Sequence, residues 1–172
     1  QSEVLAHFAD GSPAVIRNSY GKGHAYIAGF FPGLEYSAPV RRDDYDMSRD
    51  FHRARRHLVV APALELTRPV VDVSHPLVEG VLLRNGKDGP RAVTLANWAY
   101  HVSHIRQAPT GRRTTVVSHV PAENVEITIR AASAVRHVES CILEQSLEFS
   151  HTGDALVVSL PRLEVGDVLV LK

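Results

Sequence analysis

The sequence predicts a mainly β protein, in which antiparallel strands and one helix are followed by an antiparallel β-sandwich. Apolar and polar residues alternate in many short segments, and turn-forming residues separate most of these segments at close spacing. Only residues 48–60 repeat their apolar side chains at helical spacing. Because this patterning changes near Pro62, we expect two domains, residues 1–62 and residues 63–172.

The first domain begins with three predicted strands that are joined by short turns. They cover Glu3–Phe8, Ala14–Ile16 and His24–Phe31. The turns contain Asp10-Gly11 and Gly21-Lys22-Gly23, and glycine tolerates the positive φ that tight turns require. The segment is therefore expected to form an antiparallel meander.

The predicted helix of the first domain spans residues 48–60. Ser48 is suited to cap its first turn, and Asp50 suits the positive end of the helix dipole. Pro62 is expected to end the helix, because proline lacks the N–H that a helix interior uses. Residues 61–68 are then a linker or the first edge of the second domain.

Almost all of the second domain has strand patterning. Residues 125–131 are the clearest case, with Val125, Ile127 and Ile129 on one face of the predicted strand. Residues 101–121 are polar and fit either a long loop or a weakly patterned strand pair. The candidate strands are Val70–Val73, Val78–Arg84, Arg91–Asn97, Val125–Ala131, Val135–Ser140, Leu147–Phe149, Ala155–Leu160 and Asp167–Leu171.

The charge balance argues against two classes of partner. The chain of 172 residues has 19 Lys and Arg residues and 19 Asp and Glu residues, so its formal net charge is zero. Nucleic acids and anionic membranes attract basic surfaces, and neither is expected as a partner. No apolar stretch reaches the ~18 residues of a membrane helix. The single cysteine, Cys141, excludes an internal disulfide.

The first residues indicate a chain cut from within a longer polypeptide. Gln1-Ser2-Glu3 has neither a starting methionine nor the pattern of a signal peptide. The sequence does not predict a compartment.

Two parts of the chain resemble a known family. Residues 4–23, VLAHFADGSPAVIRNSYGKG, are similar to the last strands of the trimerisation domain of family-42 β-galactosidases. Residues 76–98 and 156–171 resemble the β-rich tail that follows in relatives of those enzymes. The resemblance implies that the first domain is the remnant of an amidotransferase-like α/β domain. It also implies that the parent protein is a glycoside hydrolase.

The same resemblance implies that the catalytic residues lie outside this chain. The family carries two catalytic carboxylates in a preceding TIM barrel, which needs roughly 250 residues. No acid of this chain matches them. Cys141 lies between β-patterned segments, not on the strand-to-helix turn where amidotransferases hold their nucleophile. We therefore predict no catalytic residue here.

Two groups of residues have the chemistry of metal ligands without the required spacing. Acidic and hydroxyl residues alternate over residues 44–50, but Arg49 and Arg55 stand where a calcium loop has Gly and Glu. His101 and His104 lack the flanking Cys or acid of a zinc pattern. The sequence predicts no metal site and no cofactor.

Trp98, Tyr100 and His101 are the candidate contact residues for a sugar or another domain. On the strand 91–97, the face with Asn97 is predicted to meet the core, and the Asn97 amide to tie down the following loop. Trp98 follows the opposite face, whose residues are small. A flat indole beside small residues is suited to stack on a sugar, but packing against another domain is the favoured interpretation.

Together these features predict a structural and assembly region of a larger hydrolase. The alternative is a carbohydrate-binding β-sandwich, and the sparse aromatic content of 6% with one Trp favours the first. The expected partners are upstream domains of the same polypeptide, a second copy of the chain, and a carbohydrate under the alternative. Val15, Tyr26 and Phe30 are expected to form an apolar face for such packing.

Overall fold

The computed structural model describes residues 2–38, 53–86, 89–107, 109–130 and 132–172. Within these residues the contacts define two compact units. Residues 2–38 and 53–67 form the first unit, and the second begins at Arg68. Both units contain antiparallel strands, which confirms the predicted fold class.

The first unit contains a three-stranded antiparallel meander, as the sequence predicts. Strand β1 pairs with β2, and β2 pairs with β3. The elements of this unit are β1 (Ser2–His7), β2 (Pro13–Tyr20), β3 (Gly23–Ala28), α1 (Pro32–Ser37) and α2 (Arg53–Leu66).

The helices differ from the prediction. Helix α1 was not expected, because Pro32-Gly33 has the composition of a turn; Pro32 instead occupies the start of the helix, where its fixed φ is favourable. The expected start of the second helix at Ser48 lies outside the described residues. Its expected end at Pro62 is wrong, since α2 continues to Leu66. Beyond Pro62 the last turn of α2 is held by Glu65, which contacts Arg17 and Tyr26 of the meander.

The second unit consists of strands in three antiparallel sheets. A five-stranded sheet has the order β11-β10-β14-β6-β5, a four-stranded sheet has the order β12-β13-β9-β4, and β7 pairs with β8. The strands are β4 (Val71–Val73), β5 (Val78–Arg84), β6 (Pro90–Asn97), β7 (Tyr100–Gln107), β8 (Arg112–His119), β9 (Ala122–Ile129), β10 (Val138–Ser140), β11 (Gln145–Ser146), β12 (Phe149–Thr152), β13 (Ala155–Leu163) and β14 (Gly166–Leu171).

One core lies between the five-stranded and four-stranded sheets, which gives this unit the layers of a β-sandwich. Alternate residues of the central strands of both sheets are buried in a single apolar cluster. The strands β6, β9, β13 and β14 contribute Val93, Leu95, Val125, Ile127, Ile129, Leu156, Val158, Leu160, Leu169 and Leu171. The alternation that predicted these strands therefore also sets which face is buried.

Residues 101–121 form the strand pair rather than the long loop. Strands β7 and β8 make a hairpin in which Tyr100 lies opposite His119 and Gln107 lies opposite Arg112. This pair forms a sheet of its own.

Candidate functional site

The end of β6 is anchored by a buried amide side chain. Asn97 is 4% exposed. Its Nδ2 donates hydrogen bonds to the backbone carbonyls of Val120 and Glu164, each at 2.8 Å. Its Oδ1 accepts one from the backbone N–H of Ala99 at 2.9 Å. The structure thus places the Asn97 amide where the sequence predicts it, and fixes the backbone on both sides of Trp98.

The indole of Trp98 is held at one end and open elsewhere. Trp98 is 55% exposed, and its Nε1 donates a hydrogen bond to the carboxyl group of Glu79 at 3.2 Å. Its backbone N–H donates to the carbonyl of Leu77 at 2.9 Å. The N–H of Leu77 in turn donates to Nδ1 of His75 at 3.3 Å. Burial lowers the pKa of His75, which favours the neutral ring that accepts this bond.

Trp98 borders an apolar surface on the outside of the five-stranded sheet, here called the outer patch. Val81 and Leu83 are about as exposed as Trp98, at 48% and 46%. Thr94 lies between Val81 and Val168 in the strand register, so the side chains are neighbours across three strands. The members of the outer patch are Val81, Leu83, Ala92, Thr94, Ala96, Trp98, Val168 and Val170. Contiguous exposed apolar surface of this kind is typical of interaction sites.

The other two candidate contact residues belong to a different sheet. Tyr100 and His101 are half-buried at the start of β7, where they pair with His119 and Ser118 of β8. Trp98 instead lies beside the five-stranded sheet. The three residues are close in the chain but do not share one sheet face.

A polar network joins the sheet of the first unit to α2. Arg17 forms ion pairs with Glu3 at 2.5 Å and with Glu65 of α2 at 3.2 Å. The hydroxyl of Tyr26 donates a hydrogen bond to Glu65. That hydrogen bond, followed by the charge of Arg17, lowers the pKa of Glu65, and the bond to Glu65 raises the pKa of Tyr26. The network fixes the last turn of α2 on the sheet.

Both faces of this meander carry apolar side chains that are at least partly accessible. Val15, Tyr26 and Phe30 are half-buried, and Phe30 makes an edge-to-face contact with Phe8 at 6.2 Å. The opposite face carries Ile27, which is 64% exposed. Because Glu65 of α2 contacts Tyr26, this face is partly covered within the unit, and its packing against an upstream domain or a second copy stays a prediction.

A second candidate site is a cleft lined by residues of β9 and β13 and by residues 145–148, here called the β9–β13 cleft. Its volume is about 490 Å³, within the usual range for small-molecule sites. Ser159 of β13 lies opposite Glu126 of β9, and its N–H donates to the carbonyl of Glu148 at 2.9 Å. Glu148, Ser159 and Glu126 therefore lie in a row across neighbouring chain segments. Asn124 and Gln145 line the same cleft.

This cleft is not predictable from the sequence alone. Glu126 and Glu148 are far apart in the chain, and each lies in a segment whose pattern is typical of an ordinary strand. Only the register of β9 with β13, together with the path of the chain before β12, places them on either side of Ser159. The available signal was the outward position of Glu126 beside the buried Val125 and Ile127.

Two other kinds of site are absent from the described residues. No cluster of three or more His, Cys, Asp or Glu side chains there is arranged to hold a metal ion. Neither described helix has the length and apolar character needed to cross a membrane.

Comparisons with known proteins give one informative result. No family model and no curated protein matches the chain. Among solved structures, α-L-fucosidase isoenzyme 2 from Paenibacillus thiaminolyticus matches with a TM-score of 0.56 and 14% sequence identity. The match covers 94% of this chain and 22% of the fucosidase chain. The fold is one found within a glycoside hydrolase.

At this identity the likeness establishes the fold and leaves the activity open. The chain spans about a fifth of the length of the fucosidase, 22% of that chain.

Proposed function

We propose that this chain is a non-catalytic structural and assembly region of a larger glycoside hydrolase of the β-galactosidase type. The observation that carries the proposal is the fold, because nearly the whole chain superposes on a minor part of a glycoside hydrolase. The resemblance of residues 4–23 to the family-42 trimerisation domain supports the finer assignment.

The outer patch is the surface that we assign to assembly. When another surface covers an apolar sheet face that includes Val81, Leu83 and Trp98, the free energy of the system falls, because apolar area is removed from water. The proposed partners are the upstream domains of the same polypeptide and a second copy of the chain. Trp98 then serves as an anchor, a role for which tryptophan is enriched at interfaces.

The test compares two matched substitutions in the longer polypeptide that contains this region. Val81→Asp places a charge in the outer patch, whereas Val117→Asp places one on the separate hairpin, where Val117 is 55% exposed. We expect Val81→Asp to weaken assembly, measured by light scattering and melting temperature, and Val117→Asp to leave both unchanged. In the isolated chain both variants should fold.

Two results would overturn the proposal. One is equal behaviour of the Val81→Asp and Val117→Asp variants in the longer polypeptide. The other is hydrolysis of 4-nitrophenyl β-galactoside or α-L-fucoside by the highly purified isolated chain, since this chain is proposed to lack a catalytic residue.

A carbohydrate-binding role is the second candidate, and the open indole of Trp98 favours it. The hydrogen bond to Glu79 fixes the ring edge, and Trp98 as a whole is exposed, as stacking on a sugar requires. Tyr100 and His101 lie on the separate β7–β8 hairpin, so Trp98 is the candidate residue for this role on the five-stranded sheet. A sugar titration of the isolated chain that shifts the Trp98 indole resonance would support this role, and replacing Trp98 with Ala should abolish that shift.

A further inference from the structure

The β9–β13 cleft has polar side chains that the fold itself does not use. Glu126, Glu148 and Ser159 form its central row, and Asn124 and Gln145 lie beside them. Within the described residues, none of these five side chains has a hydrogen-bonding partner. Two carboxyl groups, two amides and a hydroxyl therefore have donors and acceptors available to a ligand.

We propose that the β9–β13 cleft binds a neutral saccharide. Carboxyl oxygens accept hydrogen bonds, whereas amides and hydroxyls both donate and accept them. Sugar hydroxyls offer the complementary set, because each donates one hydrogen bond and accepts others. Bonds to charged carboxylates are the stronger ones, so Glu126 and Glu148 provide most of the affinity.

The lining selects against other ligand classes. Among the described residues no Lys, Arg or His lines the cleft, so phosphate and acidic sugars meet two carboxyl groups without a compensating cation there. Nearby Arg162 is already paired with Glu123 at 2.5 Å and with Glu164 at 2.6 Å. Pro161 adds an apolar surface for the C–H face of a sugar ring.

A calcium ion fits the row less well than a sugar does. Calcium takes six to eight oxygen ligands close to one point. Glu126 and Glu148 are separated by two strand spacings, roughly 10 Å along the sheet. An elongated ligand with hydroxyls along its length is matched to that separation.

The backbone around the cleft has a further unusual feature. Among the described residues, the non-glycine residues with positive φ are Asn124 and Glu144, each at 51°. Asn124 lines the cleft, and Glu144 directly precedes the lining residue Gln145. Conformations of this kind are more frequent at binding sites than elsewhere, which agrees with a functional role for this edge.

The cleft is lined by residues of β9, β11 and β13, whereas the outer patch consists of Trp98 and residues of β5, β6 and β14, so the two sites share no residue. Sugar binding in the cleft therefore does not depend on the assembly role, and a single chain can do both. The two proposals can also be refuted independently of each other, since the Val81→Asp substitution alters no residue of the cleft.

The experiment titrates the whole chain, labelled with ¹⁵N, with lactose, galactose and L-fucose at millimolar concentrations. We expect the amide resonances of Asn124, Gln145 and Ser159 to shift. The double substitution Glu126→Gln/Glu148→Gln keeps the side-chain shapes and removes the charged acceptors. Each lost charge-assisted bond should weaken binding by about tenfold or more. The matched control is Glu79→Gln, which alters the Trp98 contact and should leave cleft binding unchanged.

Each other outcome counts against the proposal. No shift at the cleft with any of the three sugars overturns it. Shifts confined to residues around Trp98 overturn it and support the second candidate function instead. Shifts produced by calcium chloride but not by sugar identify a cation site. Equal weakening by Glu79→Gln and by the double substitution shows that binding occurs elsewhere.

Discussion

The hydroxyl of Ser140 donates a hydrogen bond of 2.5 Å to the carboxyl group of Asp167, and both side chains are buried. The other carboxyl oxygen of Asp167 accepts from the N–H of Ile142 at 3.1 Å. Ser140 Oγ accepts from the N–H of Leu143 at 2.9 Å. The pair thus satisfies the backbone of the turn between β10 and β11, and this turn leads directly to Gln145 in the β9–β13 cleft.

Replacing Asp167 with Ala should destabilise the chain by about 2 kcal/mol or more, because it leaves the O–H of Ser140 and the N–H of Ile142 without their acceptor. Urea unfolding followed by circular dichroism measures this loss. The control is Ser150→Ala at an exposed position of β12, which should change the unfolding free energy by less than about 0.5 kcal/mol. Similar losses in the two variants would show that the Ser140–Asp167 pair contributes little.

A substitution of Asn97 by Asp tests the anchoring of β6. The new carboxyl group keeps the acceptor for Ala99 but faces the carbonyls of Val120 and Glu164 without a donor. We expect a loss of at least about 2 kcal/mol in unfolding free energy at neutral pH, because the charge is buried beside other acceptors. The same change at Asn85, which is exposed, should have little effect. A stable Asn97→Asp variant would contradict the anchoring role.

Replacing Trp98 with Ala should have only a small effect on the isolated chain. A buried tryptophan costs about 3–5 kcal/mol when truncated, but this indole is 55% exposed, so we expect less than about 1.5 kcal/mol. Thermal unfolding of the isolated chain measures the difference. A loss of about 3 kcal/mol or more would show that the ring already packs within the chain, and it would weaken the argument for an open contact surface.

The sequence predicts the sandwich strands well, because the alternation of apolar and polar residues along each strand indicates which face is buried. On β9, Val125, Ile127 and Ile129 alternate with polar residues, and the structure buries all three. Asn97 was predicted at the rim of the core for the same reason, since it follows the buried face of β6. A period of two therefore suffices to orient a strand whose one face is covered.

Features that depend on tertiary contact were beyond prediction. Helix α2 passes through Pro62 and ends near Glu65, which contacts Arg17 and Tyr26 on the meander. The helix propensity of the residues around Pro62 cannot predict those contacts, because they are made with residues distant in the sequence. The β9–β13 cleft is hidden for a related reason, since Glu126 and Glu148 become neighbours of Ser159 only when the strands pair.

The chain should lose stability in mild acid through His75. Burial lowers the pKa of His75 below its ordinary value of 6.5, so this side chain binds a proton more weakly in the folded state than in the unfolded state. The contribution of neutral His75 to the unfolding free energy is complete above about pH 6.5. It is lost as the pH falls below that value, because the unfolded state then binds the proton more tightly than the folded state does. His75→Gln should flatten the unfolding free energy between about pH 7.5 and 5.5 relative to the native chain. The exposed control His119→Gln should not, and an unchanged profile in His75→Gln would contradict the argument.

Adding a methyl group at Gly80 should strain the contact between the two sheets. Gly80 of β5 faces the core, and a Cβ there would lie 2.6 Å from Cγ1 of Val71 on β4 and 3.4 Å from Cδ2 of Leu95. Since a β-branched side chain in a packed core has little room to move, we expect Gly80→Ala to cost about 1–3 kcal/mol in unfolding free energy. The double variant Gly80→Ala/Val71→Ala removes the clashing methyl group and should recover part of that loss. Additive losses in a double-mutant cycle would mean that Gly80 and Val71 do not meet, and that β4 and β5 are not packed as described.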